Sequence, residues 1–90
     1  MNSIYKYKLE AEDIQVLNLP LKTTILSVQS IKNEAYIYAV VDLNEVETEE
    51  RTILTFGTGH EIEDNLKAHY IGTFKLHEDC LVFHAFEKVR

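Results

Sequence analysis

Apolar and polar residues alternate along most of this chain with a period of two. Tyr5, Tyr7 and Leu9 are interleaved with Lys6, Lys8 and Glu10, the pattern of a strand with one face on a core and one in water. Ile14 and Val16 then fall on one face and Leu17 and Leu19 on the other, which predicts a bulge or bend before Pro20 ends the run. Alternation resumes over Thr23–Ile31, with Leu26 and Val28 opposed to Ser27 and Gln29, and Lys32-Asn33-Glu34 supplies a turn. Ala35–Val41 is apolar on both faces, as expected of a central strand covered on both sides.

Arg51–Phe56, rich in β-branched and aromatic residues, reads as the next strand and stops at Gly57. Glu61–Ala68 is the one stretch with helix-compatible composition, too short for more than a turn or two; a turn or a short helix is expected there. Tyr70–Leu76 and Cys80–Lys88 form a last hairpin. A two-residue turn at Glu78-Asp79 sets Gly72, Phe74 and Leu76 opposite Ala85, Phe83 and Leu81, whereas a three-residue turn shifts that register by one. About seven antiparallel strands and at most one short helix predict an all-β fold, a small sandwich or partly open barrel, in one β-rich domain over residues 1–90.

At 90 residues the chain lies near the lower end of what builds a core without disulfides or metals, so a homodimer or higher homo-oligomer is a natural supplement. The lone Cys80 has no partner for a disulfide or a thiolate zinc site and is expected to be a small buried hydrophobe. Fifteen acidic against nine basic side chains give a net charge of −6, which argues against nucleic acid as a partner. Five carboxylates lie within Asp42–Glu50, read as a solvated acidic loop. Apolar residues are too evenly spread for a membrane span, and Met1-Asn2-Ser3 leads straight into strand-like sequence, so a cytoplasmic location is expected.

Two of the three glycines lie in Phe56-Gly57-Thr58-Gly59-His60 and the third in Tyr70-Ile71-Gly72-Thr73-Phe74. Glycine tolerates positive φ and close approach, so the candidate ligand- or partner-binding residues are Gly57, Thr58, Gly59, His60, Tyr70 and Gly72. The loop amides form a potential anion nest beside Thr58, while a plain chain-reversing turn explains the same glycines. His60 is the histidine expected to project into a concavity. His84, between Phe83 and Ala85, reads as a core imidazole bonded to Thr73 across the hairpin. No spacing forces His60, His69 and His84 into a metal site, and no serine or cysteine sits in a nucleophile elbow, so no cofactor, metal or catalytic residue is assigned.

The ordered motifs Gly57-Thr58-Gly59-His60-Glu61-Ile62, Tyr70-Ile71-Gly72-Thr73-Phe74 and Leu81-Val82-Phe83-His84-Ala85-Phe86-Glu87 resemble a family of small proteins encoded by tailed bacteriophages and prophages, over nearly the whole chain. That family is a domain of unknown function, so the resemblance implies a context and no catalytic residues. The expected function is a non-enzymatic phage accessory protein that binds a host protein, acting in the bacterial cytoplasm, with counter-defence a setting for it. The alternative is an oligomeric sponge for a small nucleotide-type signal, with the site around Gly57–His60.

Overall fold

In the computed structural model, which describes residues 1–90, the chain forms seven strands and no helix. They are β1 (Asn2–Leu9), β2 (Ile14–Pro20), β3 (Thr24–Ile31), β4 (Glu34–Asp42), β5 (Thr48–Gly57), β6 (Ala68–Leu76) and β7 (Leu81–Lys88). A three-stranded sheet of order β1-β4-β3 faces a four-stranded sheet of order β2-β5-β7-β6, all pairs antiparallel. The fold is sandwich-like and does not close into a barrel.

Turn chemistry fixes two hairpins. Lys32 and Asn33 both have positive φ (48° and 66°) between the paired Ile31 and Glu34, the backbone that lets a two-residue turn follow the twist of its strands. The β6–β7 connection also runs through positive φ at His77, Glu78 and Asp79, closed by a 3.0 Å bond from the Cys80 N–H to the His77 carbonyl. Its register is the one the two-residue turn predicts, with Gly72 opposite Ala85, Phe74 opposite Phe83 and Leu76 opposite Leu81.

Several local expectations are corrected by tertiary packing. β2 pairs with β5 without a slip from Ile14 to Pro20; Leu17 and Leu19 face inward, and Ile14 and Val16 stand on the outer face, 63% and 50% exposed. Bulges lie instead in β3, between Ile25 and Ser27, swinging Leu26 outward while Val28 stays buried, and in β6, between Tyr70 and Gly72. β5 begins at Thr48 and draws Glu49 and Glu50 into pairing with Leu19 and Asn18, so the acidic loop shortens. Residues 61–67 form an irregular crossing with a turn closed by Leu66 N–H to the Glu63 carbonyl at 3.2 Å, and no helix. Cys80, expected to be buried, is exposed at the β6–β7 turn.

The core lies between the sheets, where Leu9, Val28, Ala35, Ile37, Ile53, Phe74 and Ala85 form one buried cluster. Ile37 and Ile53 are fully excluded from solvent; burying such a side chain contributes about 1.5–3 kcal/mol. One ion pair is sealed in beside them. The Arg51 guanidinium takes the Glu87 carboxylate through two bonds, Nε to Oε2 and Nη2 to Oε1 (2.9 Å), and its Nη1 donates to the Thr23 carbonyl at 2.8 Å.

The sheets come together along β3 and β6. Val28 lies against Gly72, and at the tips the His77 N–H donates to Asn33 Oδ1, so the two strands run side by side in the same direction. A Cβ on Gly72 would stand 3.0 Å from Val28 Cγ1. The glycine of the Tyr-Ile-Gly-Thr-Phe motif therefore serves the contact between sheets and faces inward.

Candidate functional site

β5 and β6 flank β7 and run parallel to each other, so the chain between them, residues 58–67, has to cross β7 from one end of the sheet to the other. It crosses on the outer face. There Leu54 and Phe56 of β5, Ile14 of β2 and Leu66 of the crossing form the apolar floor of a groove of about 440 Å³. Its rim is Asp13, Glu61 and Glu63, with His60 and Lys88 the only cationic or titratable nitrogen-bearing side chains facing them.

The loop residues singled out from sequence build the start of this crossing. Gly59 takes φ of +90°, a backbone region other residues enter only with strain. The His60 N–H donates to the Gly57 carbonyl at 3.1 Å, and the Gly57 N–H donates to His60 Nδ1 at 3.3 Å. The ring thus folds back over Gly57 and leaves Nε2 as its free nitrogen. Thr58 N–H donates to the Val82 carbonyl at 3.2 Å. Three of the four amides from Gly57 to His60 are consumed within the protein, which leaves an anion nest with the Gly59 N–H alone.

Thr58 and Tyr70 are instead brought together through a residue read as core. His84 lies on the outer face of β7, half-buried and not in the core. Its Nδ1 bonds Thr73 Oγ1 at 2.9 Å, as the hairpin register predicts, and its Nε2 bonds Thr58 Oγ1 at 2.8 Å. Tyr70 Oη bonds Thr73 Oγ1 at 2.6 Å. A neutral imidazole donates from one nitrogen and accepts at the other, and each hydroxyl can do both. The row can therefore be polarised in one direction: Tyr70 to Thr73, Thr73 to Nδ1, and Nε2–H to Thr58. Phe86 packs edge-on against both Tyr70 (5.4 Å) and Phe56 (5.8 Å), giving the row an aromatic bed.

His84, Thr73, Phe56 and Phe86 are the site residues that sequence reading did not select. The available signal was the cross-strand pairing of Thr73 with His84; what was missing was the position of Thr58, which depends on the route of the crossing. Gly72 points away from this site, to the sheet interface. No three His, Cys, Asp or Glu side chains converge to hold a metal ion.

On the other sheet, the outer face carries a smaller polar cluster. The Tyr36 hydroxyl donates to Glu34 Oε2 at 2.8 Å, Lys8 stands 3.6 Å from the same carboxylate, and the Lys6 ammonium lies 4.6 Å from the Tyr36 ring centre. The hydrogen bond from Tyr36, then the charge of Lys8, hold the Glu34 carboxyl below its usual range, and the same bond raises Tyr36 above the usual phenol value.

Neither a search of curated proteins nor a search of solved structures finds a match. A family profile described as a domain of unknown function, DUF7352, matches residues 1–90 in full, and the chain belongs to that family.

Proposed function

We propose that this chain is a non-enzymatic accessory protein of the tailed-phage kind that binds a host protein in the bacterial cytoplasm, with counter-defence as its setting. The observation that carries the reading is the groove beneath the 58–67 crossing: four apolar side chains on its floor, three carboxylates on its rim. Such a groove suits a side chain with an apolar stem and a cationic head, so lysine or arginine on a protein surface is a fitting occupant. A phosphate-bearing ligand would face Asp13, Glu61 and Glu63 with one lysine and one histidine to offset them. The internally consumed loop amides weaken the nucleotide-sponge alternative further.

The test is affinity capture from bacterial lysate on the immobilised chain, compared with a Glu61→Lys/Glu63→Lys variant. Both positions are exposed on the crossing, so the fold tolerates the exchange. A basic host polypeptide retained in stoichiometric amount by the parent, lost from the variant and released by salt, supports the reading. Equal capture by both chains, or a nucleotide-sized mass retained in native mass spectrometry with no polypeptide, overturns it.

A further inference from the structure

Four strands end the two sheets, and three of their edges are accounted for. β3 and β6 run against each other. β1 carries Lys6 and Lys8, the charged side chains by which natural edge strands resist pairing with another chain. β2 has no charged guard: Ile-Gln-Val-Leu-Asn-Leu-Pro contains no charged residue, in a chain of net charge −6, and its one edge-blunting residue, Pro20, stands at the very end of the strand and leaves Ile14–Asn18 open.

The backbone of β2 is also set up for a partner. Thr55 N–H bonds the Asp13 carbonyl at 2.9 Å and Leu21 N–H bonds the Glu47 carbonyl at 3.0 Å, both in the register that aligns Ile14 with Leu54. Hydrogen-bonded pairs alternate along an antiparallel ladder. Gln15, Leu17 and Leu19 therefore bond to β5, while the N–H and carbonyl groups of Ile14, Val16 and Asn18 point to the open edge. Pro20, which has no N–H, falls at an outward position and costs the ladder nothing.

We infer that β2 pairs edge to edge with β2 of a second copy of this chain, antiparallel and centred on Val16, to make a continuous eight-stranded sheet. With Val16 opposite its own symmetry mate, Ile14 of each copy lies opposite Asn18 of the other, and all three outward residues use both their backbone groups. No charge meets a like charge. A strand whose outward groups fall symmetrically about one residue suits an isologous interface, and the absence of any charge on β2 disfavours a basic partner there.

Sedimentation of the full chain tests this together with Val16→Lys, which sets like charges face to face on the axis, and Val16→Pro, which removes an outward N–H that β5 does not use. The parent is expected to sediment at twice its 10.4 kDa mass and both variants at the single mass with unchanged circular dichroism. Val16→Cys in a Cys80→Ser background checks the register. Opposed hydrogen-bonded residues stand about 5.5 Å apart at Cα, within the span of a short bis-maleimide bridge, so efficient cross-linking to a covalent dimer is expected. A parent chain that stays monomeric at high micromolar concentration overturns the inference. So do folded Val16→Lys and Val16→Pro chains that both remain dimeric, or a Val16→Cys chain that fails to cross-link.

Discussion

The four-stranded sheet carries a polar cluster on each of its faces, and the two behave differently because of where water is. On the inner face, Arg51 and Glu87 lie nearly out of solvent, their side chains 6% and 13% exposed, with every guanidinium contact directed at a fixed acceptor. On the outer face, His84 is half-buried and joined to hydroxyls of the exposed Thr58, Thr73 and Tyr70. Removing one member of a buried pair strands a charge, whereas removing one member of an exposed row leaves partners that water can satisfy. The inner cluster is therefore a condition of folding, and the outer one sets the shape of a surface.

Arg51→Ala should have the largest effect, a loss of about 3–5 kcal/mol in urea denaturation, because Glu87 is left buried without its partner. The double exchange Arg51→Met/Glu87→Leu sharpens the point, since replacing the whole pair by apolar groups of similar volume is expected to return stability to near the parental value. A double variant as unstable as the single would show that Arg51 acts through Thr23 and not through the charge pair.

His84→Ala should cost less, about 1 kcal/mol for the lost bonds, and its main effect should appear on the crossing. Faster amide exchange at Thr58 with little change in the melting midpoint is the expected result. A loss as large as that of Arg51→Ala would place the imidazole in the core after all.

The smallest effect belongs to the other sheet. Glu34 titrates below the ordinary carboxylate range in the folded chain, so its contribution to stability is present above the unfolded value and disappears as pH falls through the folded one. Tyr36→Phe removes the hydrogen bond that is the main cause, and the Glu34 carboxyl resonance should then titrate at higher pH. An unmoved titration would assign the shift to Lys8.

The register of the last hairpin was legible because its ladder of Gly72, Phe74 and Leu76 against Ala85, Phe83 and Leu81 works with one turn length, and Thr73 was correctly placed beside His84. The exposure of that histidine was not legible, because a strand apolar on both faces does not reveal which face is covered by another sheet and which by ten residues of crossing chain. For the same reason Ile14 and Val16 suggested a bulge: apolar residues on both faces of an edge strand imitate a phase slip. Arg51 opens the run that sequence marks as a strand and Glu87 lies next to the last residue of β7, positions where charge ordinarily means solvent.

Alternation, turn residues and the sparing use of glycine and proline determined the seven strands, their order along the chain and the all-β class, because these depend on neighbours within a few positions. Which edges are covered, which imidazole is wet and where the carboxylates gather was decided by the stacking of two sheets and the path of one crossover. Those are contacts between residues dozens of positions apart, which strand periodicity does not specify.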